Sequence, residues 1–320
     1  MSVAMRTRDP FKTTSPARRA EAAASYEALK QACATTSGKK IQWAVRAELV
    51  SDSPNHLWRL PASDSLAIVH PNADEAWALV RGARFLRQHQ VAAIAPYFTD
   101  IITATDGQAV SFWHPCGKPS GDTSLSAWVT ALTHRIDPEA APWLREHDPF
   151  AGLLNGLDHA PLDDHVRAFL HERTAQLHEE WDHLDWPTPD TVIFGDRRMV
   201  PVHDDGVHIG LLLRRPLWRG HREWDRVAAR RRSELLLGRH EDHRTYADTY
   251  LSYALEGQGP DHAHIAAWSG YRTVRDVIAL TEVMDTVRRA RLDKHARRLA
   301  AHRLACLRGI HPAPWNRGPR

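Results

Sequence analysis

Hydrophobic and polar positions along this 320-residue chain predict a strand-rich first part and a helical second part. After a polar segment at 1–17, the alanine-rich run RRAEAAASYEALKQAC predicts a helix that begins at Ser15 or Pro16. Three short strand-like runs follow, 41-IQWAVRAELV-50, 56-HLWRL-60 and 65-SLAIVH-70, separated by the turn-forming clusters SDSPN and PASD. This order predicts a β-meander.

A second helix and a strand pair follow the meander. Asn72 stands where a helix-capping residue is expected, and the segment after it carries apolar residues at helical spacing. The runs 91–104 and 108–114 have strand-like composition, and Asp106-Gly107 between them is typical of a hairpin turn. The first part of the chain therefore has the order β–β–β–helix–β–β.

The second part is mainly helical and contains one strand pair. Helical patterns cover 123–186 and the chain from Trp224 onward. Between them an apolar run ends in Phe-Gly-Asp at Asp196, and 207–213 predicts a second strand. These elements predict an α+β, protein-kinase-like fold with two lobes, a small β-rich N-lobe and a larger helical C-lobe. The predicted boundaries are a flexible tail at 1–17, an N-lobe at 18–116 and a C-lobe at 117–320.

Composition indicates a globular protein of the cytoplasm. The apolar fraction is 42%, the charged fraction is 25% and the net charge is +3, which is too small to point to nucleic acid. The three cysteines, Cys33, Cys116 and Cys306, are far apart and form no CxxC pair, which argues against a disulfide framework or a zinc site. We expect no membrane segment, because no apolar run approaches 18 residues.

Six segments stand in the order found in one known family. They are 55-NHLWRLP-61, 108-QAVSFWHPCG-117, 184-LDWPTPDTVIFGD-196, 220-GHREWDRVA-228, 270-GYRTVRDVIALTEVM-284 and 304-LACLRG-309. Together they resemble the motifs of the aminoglycoside phosphotransferase and choline-kinase-like family, over roughly residues 18–316. The resemblance implies transfer of the ATP γ-phosphoryl group to a small-molecule hydroxyl. That chemistry needs a cation for the phosphates, metal ligands and a base near the hydroxyl.

The C-lobe positions implied by this resemblance retain the base but not the metal ligands. The family's catalytic aspartate falls on Asp196, and Phe194 replaces the histidine that supports its loop. The magnesium-binding asparagine falls on Pro201, and the second metal ligand falls on Leu213. Magnesium requires oxygen donors, which neither proline nor leucine side chains supply. Asp196 is therefore predicted to be a vestigial base position that serves as a turn residue.

The N-lobe positions implied by the resemblance have lost their charges as well. The cation that holds the phosphates falls on Ile68, and its glutamate partner falls near Leu79. None of the six lysines lies in that strand, and the loop 51-SDSPN-55 has no glycine for close approach to phosphates. The sequence thus predicts a degenerate, pseudokinase-like member of the family, and neither ATP nor Mg²⁺ is expected as a cofactor.

The predicted function is that of a non-catalytic binding or scaffolding partner, in natural-product or modified-peptide biosynthesis. Its ligand would be a small molecule, a peptide or a protein held between the lobes. The candidate residues for binding an anion or other ligand are Arg197, Arg198, Arg214, Arg215 and Trp113. The arginines could equally form a solvated surface.

Two alternative functions stay open. The first is an active ATP-dependent phosphotransferase with relocated metal ligands, in which Asp196 is the base and Arg59 or another arginine binds phosphate. The second is a nucleic-acid-associated regulator that uses the basic C-terminal helices, although no nucleic-acid-binding motif accompanies them. The pairs His240/His243 and His262/His264 lack a third ligand, so no metal site is expected.

Overall fold

The computed structural model describes residues 15–35, 44, 46–52, 55–119, 123–160, 162–196, 202–204, 209–232, 248–250, 265–290 and 294–310. The chain divides into two compact units. The first comprises Met1–Ser120 and Pro201–Leu217, and the second comprises Gly121–Val200 and Trp218–Arg320. The sequence places 117–320 in one helical part, and this boundary stays a prediction. By its contacts the segment 201–217 groups with the first unit, where the strand at Val202–Asp204 pairs with the strands at Lys118–Pro119 and Ile209–Leu211.

The described residues of the first unit form two α-helices, α1 (Pro16–Thr35) and α2 (Ala73–Gln88), and an antiparallel sheet of five strands. The strands are β1 (Glu48–Ser51), β2 (His56–Leu60), β3 (Ser65–His70), β4 (Ile102–Thr103) and β5 (Ala109–Trp113). They lie side by side in the order β1-β2-β3-β5-β4. Ile68, near the middle of β3, stands opposite Leu57 on one neighbouring strand and Ser111 on the other.

Helix α1 packs on one face of this sheet. Leu29 and Cys33 of the helix share a buried cluster with Trp58 and Phe112 of the strands. The indole Nε1 of Trp58 donates a hydrogen bond of 2.9 Å to Ser25 Oγ, which fixes the helix above the sheet without leaving a buried donor unpaired. Because side chains alternate along a strand, Ile68 and its cross-strand partner Ser111 point to the opposite face.

Helix α2 begins as its sequence predicts. The Oδ1 atom of Asn72 accepts a hydrogen bond of 2.9 Å from the backbone N–H of Glu75, which satisfies one of the donors at the helix start. The helix contacts β3 and β5 and buries Leu79 and Val80. The hairpin turn at Gly107, with φ +85°, also lies where it was predicted.

The strand predictions were less accurate at their bounds. The run 91–104 was predicted as one strand, but only Ile102–Thr103 pairs continuously with β5. Upstream, Ala93 and Pro96 make isolated bridges, because this stretch meets first Leu211 and then Trp113 as separate partners. In the run 41–50, the strand begins only at Glu48, and residues 41–43 and 45 lie outside the described part of the chain.

Five further short strands follow β5: β6 (Lys118–Pro119), β7 (Thr191–Ile193), β8 (Val202–Asp204), β9 (Ile209–Leu211) and β10 (Trp218–Gly220). The first unit contains a three-stranded sheet in the order β6-β8-β9. In the second unit β7 pairs with β10. The predicted strand at 207–213 thus corresponds to β9, and the turn at Asp205-Gly206 lies outside the described residues.

Apart from this strand pair, the regular structure that is described in the second unit is helical. Its described helices include α3 (Thr123–His134), α4 (Asp164–Asp182), α5 (Glu223–Arg231), α6 (Tyr271–Arg289) and α7 (Lys294–Leu307). The core forms around α6, which buries Val277, Ile278 and Leu280 against α4, α5 and α7. Among the described residues, no helix combines the length and the hydropathy needed to cross a bilayer.

Candidate functional site

Strand β7 delivers the turn Phe194–Gly195–Asp196 in the second unit. All three residues of β7 are buried, and Ile193 pairs with Trp218 of β10. Gly195 has φ +60°, a left-handed conformation that favours glycine. A Cβ at this position would lie 2.5 Å from Trp218 Cδ1 and 3.0 Å from His147 Cδ2. The chain therefore turns here only with glycine, and the half-buried Asp196 follows directly.

The carboxylate of Asp225 anchors this turn. Asp225 lies in the first turn of α5 and is buried. Its Oδ2 accepts the backbone N–H of Phe194 at 2.8 Å, and its Oδ1 accepts that of Gly195 at 3.1 Å. Hydrogen bonds to a carboxylate are stronger than those between neutral groups. Two adjacent amides are thus held by one side chain from a neighbouring helix, which fixes where Asp196 begins.

The anchoring role of Asp225 was missed in the sequence, where this residue served only as a landmark for counting back to Leu213. Its partners are backbone amides about thirty positions earlier, and backbone amides leave no mark in a sequence. The available signal was an aspartate in the first turn of a helix that follows a strand.

His147 stands beside the same turn. Its ring centroid lies 4.4 Å from that of Trp224 and 6.0 Å from that of Trp218, in edge-to-face arrangements. Burial lowers the pKa of His147 to about 4, although the nearby Asp225 carboxylate opposes the shift. The imidazole is therefore neutral at pH 7. Phe194, at the position that the sequence resemblance assigns to a histidine, is itself buried.

In the first unit, the predicted cation position is occupied by an apolar residue. Ile68 is fully buried between Leu57 and Ser111. Leu79, the predicted position of the glutamate partner, is fully buried in α2. These two side chains contribute core packing to the sheet and the helix, and they carry no charge for a phosphate.

Leu213, the predicted metal-ligand position, packs against α2. A Cβ added at Gly82 of α2 would lie 3.2 Å from Leu213 Cδ1 and 3.4 Å from Leu217 Cγ. Both leucines are 3% exposed. Leu213 thus fills the space that the missing side chain of Gly82 leaves, and it offers no oxygen donor to a magnesium ion.

A series of hydrogen-bonded polar side chains lies in the first unit near Ile68. The Nδ2 of Asn55 donates to His70 Nδ1 at 3.3 Å, and His70 Nε2 lies 2.8 Å from Ser111 Oγ. Trp113, a candidate ligand-binding residue, donates its Nε1–H to the same Ser111 oxygen at 2.8 Å and is buried. The indole N–H of Trp113 is thus engaged inside the sheet.

Arg214 and Arg215 were also candidates for ligand binding. The half-buried Arg214 donates a hydrogen bond to the backbone oxygen of Asn55, in the loop between β1 and β2. Burial lowers the pKa of His70 to about 3, and the charge of Arg214 adds to this effect. Arg215 is half-buried, and it partly offsets the burial that raises the pKa of Glu75. Arg214 and Arg215 therefore provide positive charge beside the β1–β2 loop and the start of α2.

Several other candidate residues lie outside the described part of the chain. Arg197, Arg198 and Pro201 lie outside the described residues, as do His240, His243, His262 and His264. Asp196 belongs to the second unit, whereas Ile68, Leu79, Leu213, Trp113, Arg214 and Arg215 belong to the first. Within the described ranges, no group of three His, Cys, Asp or Glu side chains could hold a metal ion.

Comparison with solved structures identifies the fold. No protein-family model matches the sequence, and no curated protein matches it by sequence. The structure is nevertheless similar to those of several small-molecule kinases, at low sequence identity. The chain therefore has the α+β, protein-kinase-like fold that aminoglycoside phosphotransferases and choline/ethanolamine kinases share, as its sequence predicts.

Three relatives illustrate the similarity. Amicoumacin kinase hAmiN in complex with AMP-PNP, Ca²⁺ and Ami has a TM-score of 0.61 at 10% identity, covering 85% of this chain and 91% of its own. A choline/ethanolamine kinase family protein from Mesorhizobium loti has a TM-score of 0.58 at 11% identity, covering 92% and 95%. A thermostable mutant of aminoglycoside phosphotransferase APH(4)-Ia has a TM-score of 0.57 at 11% identity, covering 82% and 93%.

The sequence resemblance assigns a phosphate cation, its carboxylate partner and a metal ligand of a magnesium–nucleotide group to three described positions. There the chain has Ile68, Leu79 and Leu213, which do not fit these roles. All three are buried hydrocarbon side chains. A hard cation demands oxygen ligands, and a phosphate demands donors or positive charge.

Proposed function

We propose that this chain binds a ligand or a partner protein and does not transfer a phosphoryl group from magnesium–ATP. The packing of Leu213 against Gly82 is the observation that carries the proposal. An exposed leucine could replace a metal-binding aspartate without any effect on packing. A leucine that fills the gap at a helix glycine is part of the core, so the metal-ligand position has acquired a packing role that a carboxylate would disrupt.

The ligand proposed for this function is a small molecule, a peptide or a protein of a cytoplasmic pathway that makes natural products or modified peptides. Positive charge from the half-buried Arg214 and Arg215 favours an anionic group on that ligand. In the second unit, Asp196, held by the Asp225-anchored turn, would be a hydrogen-bond acceptor rather than a catalytic base.

Nucleotide binding tests the proposal. Calorimetry and thermal unfolding should be measured with ATP alone, with ATP and Mg²⁺, and with neither. A ligand at one hundred times its Kd stabilises a protein by about 2.7 kcal/mol, so bound nucleotide would be visible as a higher unfolding temperature. We expect no heat of binding and no stabilisation. Magnesium-dependent ATP affinity that Asp196→Ala abolishes would overturn the proposal.

A second candidate function is an ATP-dependent phosphotransferase with relocated metal ligands. The intact turn at Asp196 favours it, because Gly195 and Asp225 still impose one backbone conformation there. On this reading, ATP hydrolysis or phosphorylation of an aminoalcohol or aminoglycoside would be detectable and would be lost in Asp196→Asn. The variant Asp185→Asn, at an exposed position, is the matched control.

A further inference from the structure

A groove in the second unit, the α7 groove, runs along helix α7. Its volume is about 330 Å³, and Leu162 and Val166, at the start of α4, form one wall. The other wall is a single stripe of side chains, because residues three or four positions apart lie on the same face of a helix. The members of the stripe are Arg297, Ala300, Ala301, Leu304, Ala305 and Arg308. At the rise of an α-helix the stripe is roughly 16 Å long.

The floor of the α7 groove is apolar, and its rim is open to solvent. Ala300 and Leu304 are 3% and 7% exposed and belong to the core that α7 shares with α6. Arg297 and Ala301 are exposed. The small alanine side chains keep this side of α7 low, so another helix can lie close against it. The groove therefore has the shape of a docking surface for a helix rather than that of an enclosed small-molecule site.

The charge along the α7 groove is mainly positive. The segment from Lys294 to Arg308 has five lysines and arginines and no aspartate or glutamate. Arginine stands at both ends of the stripe. The guanidinium of Arg308 is held by the ring of Phe169, with 5.8 Å to the ring centroid, and by His165, with 3.4 Å between Arg308 Nη2 and His165 Nε2. Asp163, the acidic residue in the lining, lies on the α4 wall, so a partner's acidic groups would face α7.

An exposed apolar side chain stands beside Arg308 in the lining. The backbone N–H of Gly309, which has φ +72°, donates to the carbonyl oxygen of Cys306 at 3.0 Å, and that of Ile310 donates to the carbonyl oxygen of Ala305 at 2.9 Å. These two hydrogen bonds form a Schellman cap, which fixes the direction of the chain after the helix. Ile310 thus has a defined position in the groove while 59% of its surface is exposed. A partner that covers this side chain removes apolar surface from water.

The two terminal segments of this chain are poorly suited to fill the α7 groove. Residues 311–320, HPAPWNRGPR, have two arginines and no acidic residue. Residues 1–14, MSVAMRTRDPFKTT, have three basic residues and one aspartate. Both segments carry the same sign of charge as the groove, and like charges brought together weaken binding. Charge complementarity therefore favours an acidic segment of another molecule.

We propose that the α7 groove binds an amphipathic helix of a partner protein. The apolar face of that helix lies on Ala301 and Ile310, and its acidic residues pair with the arginines at the two ends of the stripe. These arginines are about three helical turns apart, so the partner's acidic residues have the same separation. The groove lies wholly within the second unit, and Asp196 is not part of its lining. The proposal therefore does not depend on whether the chain binds a nucleotide.

Designed peptides provide the probe. The first is an alanine-based helical peptide with a leucine face and one glutamate near each end, three turns apart. Matched peptides replace both glutamates with glutamine or with lysine. The affinity of each labelled peptide for the full chain is measured by fluorescence anisotropy. We expect the glutamate peptide to bind at least about tenfold more tightly than the glutamine peptide, and we expect no binding of the lysine peptide.

Substitutions in the protein locate the binding surface. Arg297→Glu and Arg308→Glu bring like charges together, so each should weaken binding of the glutamate peptide at least about tenfold. Ala301→Trp fills the groove and should abolish binding. Arg298→Glu is the matched control, because Arg298 is exposed on the same helix but outside the groove lining, and it should change the affinity less than about twofold. The double variant Arg297→Glu/Arg308→Glu should bind the lysine peptide.

Three results would overturn the proposal. One is equal affinity of the wild type for the glutamate and glutamine peptides, or no binding of either, a comparison that needs no variant and holds even if Arg308→Glu does not fold. Another is an equal loss of affinity in Arg298→Glu and Arg297→Glu, since a diffuse basic surface would then explain the binding. The third is binding to vesicles of anionic phosphatidylglycerol that Arg297→Glu abolishes, without discrimination among the peptides, because the groove would then contact a lipid surface.

Discussion

Leu213 lies in the space that Gly82 leaves open on helix α2. A Cβ on Gly82 would approach Leu213 Cδ1 to 3.2 Å, closer than ordinary van der Waals contact. The sequence resemblance assigns a metal-binding aspartate to this position, and the structure has a packing contact there. Because Gly82 and Leu213 are in contact, the effect of a substitution at one on the free energy of unfolding should depend on the residue at the other.

We expect Gly82→Ala and Leu213→Ala to be strongly non-additive. Alanine in a helix interior gains up to about 1 kcal/mol over glycine, but here the new methyl group pushes on Leu213. In the Leu213→Ala background the space is free, so Gly82→Ala should stabilise the protein. A double-mutant cycle by urea unfolding should give a coupling free energy of about 1 kcal/mol. Additive effects would show that Leu213 does not pack as described.

Leu213→Asp should destabilise the first unit severely. A carboxylate at a position that is 3% exposed, against Leu217 and α2, loses its hydration without gaining a partner there, at a cost of roughly 3 kcal/mol or more. Leu213→Met keeps the volume and should cost less than about 1.5 kcal/mol. If the free energy of unfolding of Leu213→Asp equals that of Leu213→Met, the site still accepts a carboxylate and the case against a metal ligand at this position fails.

Gly195→Ala should be among the most damaging alanine substitutions in the second unit. The new Cβ would combine a left-handed backbone with contacts of 2.5 Å to Trp218 and 3.0 Å to His147. Gly107→Ala is the control: its φ is +85°, but nothing lies within 4 Å of the added Cβ. We expect about 1–2 kcal/mol for Gly107→Ala, from backbone strain alone, and at least about 2 kcal/mol more for Gly195→Ala. If both variants lose the same free energy of unfolding, the side chain of Trp218 moves aside to accommodate the new Cβ.

The parts of this fold that the sequence could predict are those determined by residues close together in the chain. Asn72 starts α2 because a capping oxygen acts on an amide three residues away, and such a pattern is visible in the sequence. The run 91–104 could not be resolved in the same way. Its backbone meets Leu211 and Trp113 as separate partners, so its pairing is decided by elements distant in sequence.

The residues of the candidate site also differ in whether local sequence patterns could identify them. Ile68, Leu79 and Leu213 were identified by their positions in motifs, and their apolar character was readable at once. The role of Asp225 could not be predicted, because it depends on hydrogen bonds to Phe194 and Gly195 that only the fold creates. The same holds for Trp113, whose indole N–H is taken by Ser111 on its own strand.

Asp225→Asn should loosen the Asp196 turn. An amide in place of the carboxylate has one acceptor oxygen, so the backbone N–H of either Phe194 or Gly195 would face an NH₂ group. A buried donor left unpaired costs about 1–3 kcal/mol, which chemical denaturation would detect. The exposed Asp185→Asn should change the free energy of unfolding by less than about 0.5 kcal/mol. A loss in Asp225→Asn no larger than in Asp185→Asn would contradict the anchoring role.

The buried His70 should make the protein less stable in mild acid. Its folded-state pKa is lowered to about 3 by burial and by Arg214, below the unfolded value near 6.5. Between these values the unfolded chain binds the additional proton, so stability is complete above pH 6.5 and declines as the pH falls toward 3. Between pH 7 and pH 5 the loss due to His70 should be about 2 kcal/mol.

The variant His70→Gln tests this linkage directly. Glutamine does not titrate, so the decline between pH 7 and pH 5 should be smaller by nearly the whole 2 kcal/mol in urea unfolding curves. His178→Gln is the control substitution, at a histidine whose side chain is 55% exposed. If the free energy of unfolding has the same pH dependence in the wild type and in His70→Gln, the proton uptake occurs at another group. His147 is then the group to examine, since its pKa of about 4 gives a contribution of the same sign over a narrower range.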